Sequence, residues 1–425
     1  MREHIGGVWT FSMNPKRGSL SVALLTLGST FSFACGAGHV GGLDGNVGVA
    51  PGEAKQAPSK GPIYNVYFGT YTEGWSCSDA FPCTGAGIYR ATFNANTGAL
   101  TEPVLAYATR NPSYLAVHTK GGLNYLYAVN EVGNHGGKST GAVSAFRIES
   151  NGGLTLLNQV PSGGTDPAHV SVSRSGNYVL VANYGGGNVA SFKILSDGNL
   201  APADVEQHVG RGPHSRQEAP HAHFIANDEQ GERVFVADLG LDQVLVYELD
   251  ETTGALTPNN PPFGSVPPGS GPRHATFDEQ GEFVYTNNEL AQTVTVFDRD
   301  KTTHALTLIQ TVSSLLPSDP QEGQSSEILM SKDGDHLYVG NRGPNSIGVF
   351  DVNKATGMIN LKATVSTGGH WPRDFKFDPS GKFIVLGNTL SGDVKVFALD
   401  PDTGLPSATG GQIALNQVTN MAFVK

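Results

Sequence analysis

The chain reads as an all-β protein: a seven-bladed β-propeller of four-stranded antiparallel blades, its ring closed by the C-terminal strand. Three observations predict this. Six short clusters recur at intervals of 47 to 55 residues: Pro112-Ser113-Tyr114, Pro167-Ala168-His169, Pro220-His221-Ala222-His223, Pro272-Arg273-His274, Ser325-Ser326-Glu327 and Pro372-Arg373-Asp374. Each is followed by an apolar run that ends on a polar residue, at Asn130, Asn183, Asp238, Asn288, Asn341 and Asn388. A period of roughly 50 residues in sequence rich in β-formers is the mark of a propeller, each repeat being one blade. At the termini, Tyr64 to Thr70 match the second strand of a blade, and Val418 to Val424 match a first strand without partners. Together they complete a seventh blade, and such closure removes the exposed sheet edges that template aggregation.

Within one period the strands are separable by their turns. Ala168 to Ser173, Tyr178 to Ala182, Val189 to Ile194 and a run from Leu200 are divided by Gly176, by Gly185-Gly186-Gly187 and by Asp197-Gly198. Glycine supplies 55 of 425 residues, nearly twice the usual ~7 %, and it falls at turns and corners. A net charge of −11 without a Lys/Arg-rich run argues against nucleic acid or an anionic membrane surface as partner. The propeller is expected over 62–425 as one domain and as a monomer.

The N-terminal text is different. Lys16-Arg17 precede an apolar stretch from Leu20 to Ala34, the pattern of an export signal over 1–34, and a Gly/Ala/Pro-rich flexible linker follows over 35–61. Cys35 directly after the apolar stretch resembles the acylated cysteine of a bacterial lipoprotein, although Ser32 stands where leucine is usual. The expectation is an exported protein, either periplasmic, surface-anchored through Cys35 or secreted, whose contact with membrane is limited to that anchor. In such a compartment Cys77 and Cys83, six residues apart, are expected to form a small disulfide loop.

Topology places the chemistry. In an antiparallel blade the start of the first strand and the end of the second lie on one rim, so the clusters and their paired polar residues surround a single funnel. His169, His221 or His223, Arg273, His274, Glu327 and Arg373 come from the first set. Asn130-Glu131, Asn183-Tyr184, Asp238, Asn288-Glu289, Asn341-Arg342 and Asn388 come from the second. Asparagine and aspartate also tie down corners through their own backbone, which is an alternative role for Asn183, Asn341 and Asn388. Converging charges such as Arg273, Arg373 and Glu289 must be paired or bind something. His221 and His223 admit three readings: metal ligands, an acid/base group, or a loop anchor.

The phrases Gly69-Thr70-Tyr71-Thr72, Val129-Asn130-Glu131, Ala182-Asn183-Tyr184, Arg216-Gln217-Glu218-Ala219-Pro220-His221-Ala222-His223, Ala237-Asp238-Leu239-Gly240, Gly271-Pro272-Arg273-His274, Asn288-Glu289 and Trp371-Pro372-Arg373-Asp374-Phe375 together resemble the seven-bladed propeller lactonases. That family includes propeller-type 6-phosphogluconolactonases and is similar to fungal 3-carboxy-cis,cis-muconate lactonizing enzymes. The resemblance implies a small anionic lactone or carboxylate as substrate in the funnel and no cofactor. It implies His221, His223, Arg273 and Glu289 as the catalytic set, with Arg373 beside them and Arg216 and Gln217 on a loop above. Asn130, Glu131, His169 and Asn183 are further candidates for substrate contact.

Opening a lactone needs a base to activate water and a positive donor for the oxyanion. Glu289 or a histidine of the 221/223 pair is the candidate base, and Arg273 and Arg373 the donors. Ring closure by a lactonizing enzyme would use the same arginines with a proton donor. Two alternatives use the same scaffold: a calcium-dependent lactonase with Glu131, Asn183, Asp238 and Asn288 around the ion, and a catalytically silent binding propeller.

Overall fold

The computed structural model describes residues 61–74, 77–78 and 82–424. Cys35 and the expected export signal lie outside them. The described residues form seven antiparallel sheets. Blade 1 consists of Tyr114–Lys120, Leu123–Asn130, Ala142–Ile148 and Leu154–Pro161. The first strands of blades 2 to 6 are Pro167–Val172, Ala222–Asn227, Pro272–Phe277, Gln324–Met330 and Pro372–Phe377. Blade 7 joins the two ends of the propeller. Val418–Val424 is its first strand and Ile63–Thr70 its second, paired antiparallel from Asn65 opposite Val424 to Thr70 opposite Val418.

Burial explains why the second strands are the most apolar text. Tyr178–Asn183, Phe283–Asn288 and Phe383–Asn388 are buried at every position, because each is covered by a neighbouring blade on both faces. Outer strands such as Leu200–Gln207 are mostly open to solvent. The core is divided among the seven blade-to-blade interfaces, each filled by one apolar cluster. Between blades 1 and 2, for example, Tyr127, Val129, Val143 and Ala145 meet Val170, Val179, Val181 and Phe192. Across the closure, Tyr67, Ile88, Ala422 and Val424 meet Leu115, Leu126, Ala128 and Phe146. The disulfide Cys77–Cys83 is formed, with Cα atoms 5.0 Å apart.

Candidate active site

Two repeated devices aim side chains at the axis. The first is a β-bulge near the start of the first strand. In blade 2, Ala182 faces His169 and Asn183 faces Pro167, which leaves Ala168 as the extra residue. The same shift leaves out His223 in blade 3, Arg273 in blade 4, Arg373 in blade 6 and Thr419 in blade 7. A bulge kinks its strand and redirects the extra side chain. The second device is the residue following the second strand's terminal Asn or Asp: Glu131, Tyr184, Glu289 and, in blade 7, Tyr71. Its N–H is held by the carbonyl just before the neighbouring first strand, as in Glu289 to Gly271 at 2.7 Å.

The two rings enclose a cavity of about 470 Å³ lined by Glu131, Ala168, Tyr184, Arg216, His223, Glu289, Gln324, Arg342, Trp371 and Arg373. Glu289 is its electrostatic centre. Its carboxylate meets Arg216 at 2.7 Å, Arg342 at 2.8 Å and, from beneath the cavity wall, Arg273 at 3.1 Å. Burial alone would raise the Glu289 carboxyl, but Arg342, Arg216 and Arg273 outweigh it and bring it down to about 2. Arg342 is lowered to about 9 by burial, even with Glu289 beside it. On the other wall Arg373 donates to the Tyr71 hydroxyl at 2.7 Å, and Tyr71 donates to Glu131 at 2.9 Å. Here desolvation pushes the Glu131 carboxyl up, against the pull of Arg373. The two carboxyl groups of one cavity are therefore driven in opposite directions.

His223 carries an imidazole that burial lowers well below its ordinary range, with Arg273, His274, Arg373 and Arg342 acting the same way. It is held as the neutral ring. Under it lies an axial plug. Glu327 binds His274 Nδ1 at 3.0 Å and Lys376 at 2.9 Å, and Lys376 also meets Asp374 at 3.1 Å. The His274 ring, kept down to about 4 chiefly by burial, presents Nε2 to Arg273 at 3.2 Å.

Several expected site residues turn out to hold the frame. Asn130 donates to Arg110 O and accepts from Ser144 at 2.7 Å, and Asn183 donates to Ser162 O and Asn188, so both tie corners rather than face the cavity. His169 packs its ring at 4.2 Å from Tyr114 and 4.7 Å from Phe224, below the cavity. Gln217 is fully buried and donates to Leu239 O and Asp242. It anchors the loop that carries Arg216, while Asp238 holds the loop's other parts through His208 at 2.6 Å and the His221 N–H at 2.8 Å. Gly240 is required there, since a Cβ would lie 1.9 Å from Ala219 O.

His221 precedes the strand, stacks on Tyr184 at 4.5 Å and contacts Tyr184 O at 3.0 Å. The intervening bulge at His223 removes the shared-face geometry that a metal pair would need. Among the described residues no group of three or more His, Cys, Asp or Glu is placed to hold a metal ion. Asn183, Asp238 and Asn288 direct their side chains into their own corners, Asn288 onto Thr293 and Thr295, so they do not converge with Glu131 on a cation. Sequence reasoning left Tyr71 and Trp371 without a role and placed Tyr184 and Arg342 in the funnel without assigning them one. The signal for all four was their position: each ends or follows a second strand or precedes a first strand.

Comparison with known proteins agrees with this architecture. The family described as "Lactonase, 7-bladed beta-propeller" matches residues 65–423. A 6-phosphogluconolactonase of Bacillus subtilis is 37% identical over 343 residues, covering 80% of this chain and 93% of its own length. A 6-phosphogluconolactonase of Formosa agariphila is 31% identical over 328 residues, covering 75% and 90%. The solved structure of the periplasmic gluconolactonase of Pseudomonas aeruginosa superposes with a TM-score of 0.77 at 32% identity, covering 86% of this chain and 99% of that one. The chain belongs to the seven-bladed β-propeller lactonase family.

Proposed function

We propose that the protein is a lactonase that opens a sugar-type lactone bearing an anionic group inside the central cavity. The observation that carries this reading is the contrast between its two carboxyl groups, one locked among three guanidinium groups and one raised and open to the cavity. Glu289, at about 2, is a weak proton acceptor. Its part is to hold Arg216, Arg273 and Arg342 in place. Glu131 accepts a proton more readily, so it takes one from the attacking water. Arg373 and Arg342 meet the carbonyl oxygen as it becomes an oxyanion, and the arginine-rich wall also suits a phosphate or carboxylate on the substrate. Protonating His223 would add a cation beside three arginines, so it serves as a neutral hydrogen-bonding group near the reacting ring. The 6-phosphogluconolactonase name of the Bacillus relative and the gluconolactonase name of the Pseudomonas structure favour an aldonic acid lactone.

A pH-stat assay of the full chain against gluconolactone, its 6-phosphate and an aromatic lactone tests this. Hydrolysis above the spontaneous rate is expected for a sugar lactone. A base must be deprotonated to act, so the rate should rise with pH through a value above the ordinary carboxylate range, as the raised Glu131 group requires. Turnover of none of the three lactones would overturn the reading.

Export belongs to the same reading. The disulfide Cys77–Cys83 suits an oxidising compartment, and the apolar stretch before Cys35 supplies a signal. Cells expressing the full chain should yield a membrane-associated form that begins at acylated Cys35, seen by intact mass. An unmodified N-terminus in the cytosolic fraction would contradict it.

A further inference from the structure

In five of the seven blades a residue just before the first strand occupies the same corner. Asn111, Asp166, Gly271, Trp371 and Gln417 all stand there with positive φ, at 39°, 50°, 64°, 68° and 57°. Their equivalence is fixed by one hydrogen bond, since each carbonyl accepts the N–H of the residue after a second strand. The donors are Glu131, Tyr184, Glu289, Thr389 and Tyr71 respectively, at 2.7 to 3.0 Å. This conformation is cheap for glycine and tolerable for asparagine or aspartate, whose short side chains bond locally. For a bulky aromatic residue it is an outlier. Blade 6 nevertheless places a tryptophan there, held by Asn345 Oδ1 on its N–H at 2.8 Å and by Thr389 on its carbonyl at 3.0 Å.

The backbone gives no reason for Trp371, because the other corners show that smaller residues build it. Its side chain does give one. The indole forms part of the cavity wall, with the Arg342 guanidinium 5.4 Å from its ring. Tyr184 lines the same cavity from blade 2, far round the ring. The cavity therefore offers an aromatic surface beside a dense array of cations, the combination that holds a ring with an apolar C–H face and an attached anion. We propose that Trp371 is a specificity-determining platform on which the ring of a cyclic sugar substrate stacks while the arginines bind its anionic group. The proposal rests on the lactonase reading for the nature of that ring.

Calorimetric binding to the full chain tests it, using glucose 6-phosphate as a ring-bearing ligand without a hydrolysable bond and inorganic phosphate as a ring-free one. Trp371→Gly and Trp371→Asn keep residue types that this corner already accepts. Both should weaken glucose 6-phosphate by roughly 10- to 100-fold, the scale of losing one buried aromatic contact. Phosphate affinity should change less than about twofold by the same arithmetic. Melting temperature should stay level or rise, because the strained φ is relieved. Unchanged affinity for glucose 6-phosphate, an equal loss for phosphate, a clear fall in melting temperature in both variants, or no binding of glucose 6-phosphate by the unaltered protein would each overturn the proposal. Trp371-dependent binding in a protein that hydrolyses no lactone would leave the platform standing and sink the lactonase reading.

Discussion

Deleting residues 414–425 should leave a protein that aggregates and shows no cooperative unfolding transition. The segment contains Val418–Val424, the first strand of blade 7, and its loss uncovers the whole hydrogen-bonding edge of Ile63–Thr70. It also removes part of two of the seven interface cores. Leu415, Val418 and Met421 pack with Phe383, Val385 and Phe93, whereas Ala422 and Val424 pack with Leu115 and Leu126. Four of the deleted residues, Leu415, Val418, Met421 and Val424, carry large apolar side chains, each contributing about 1.5–3 kcal/mol on burial, so the loss is about 6–12 kcal/mol. That equals most or all of the ~5–15 kcal/mol that keeps a typical domain folded. The strand also stitches three blades together through polar groups, Asn420 accepting the Leu115 N–H at 2.9 Å and the Met421 N–H donating to Asp374 at 3.0 Å. Size-exclusion chromatography and thermal melting check the expectation. A soluble truncation with one sharp transition would mean that the ring does not depend on its closing strand.

The repeat made the fold legible. Apolar runs such as Tyr178 to Ala182 are long because a second strand is covered on both faces, and their spacing reflects one blade each, so pattern alone carried the blade count and the closure. The site was harder to read for a physical reason. The eye falls on Asn130 and Asn183, which recur, but recurrence at a corner is what backbone geometry demands of every blade. The side chains that differ between blades, Glu131, Tyr184, Glu289 and Arg342, are the ones free to specialise, and they stand one residue later. Nor could spacing show that His223 sits on a bulge. Without that extra residue, His221 and His223 would share a face, as alternation along a regular strand requires. The bulge separates them, giving His223 the cavity and His221 the loop. Roles of the carboxyl groups were out of reach as well, because they depend on how many guanidinium groups surround each, and Arg216 reaches Glu289 from a loop 73 residues away in sequence.

Glu289→Gln and Glu131→Gln should separate those two roles. Glu289 is buried and balances three arginines. Replacing it with a neutral amide strands that charge, a change of the kind that costs about 3–5 kcal/mol when a buried pair is broken. The variant should melt clearly lower and should also lose activity as the arginines shift. The sign of the pH dependence follows from the depressed carboxyl. Its contribution to stability is complete above the unfolded value of roughly 4.3 and is lost as pH falls towards about 2. Acid unfolding of the unaltered protein should therefore include a component in that window that Glu289→Gln lacks. Glu131 behaves oppositely. Its carboxyl is raised, so the folded state disfavours its ionised form at neutral pH, and a neutral glutamine there should leave the melting temperature level or slightly higher. What Glu131→Gln removes is the proton acceptor, and turnover should drop by roughly 10²–10⁴-fold, the usual scale for a general base. The rise of rate with pH should disappear with it. Should Glu131→Gln keep the unaltered rate on a confirmed lactone, the base lies elsewhere, and His223 becomes the group to replace next. Should Glu289→Gln be as stable as the parent, the three arginines do not depend on it for their balance of charge.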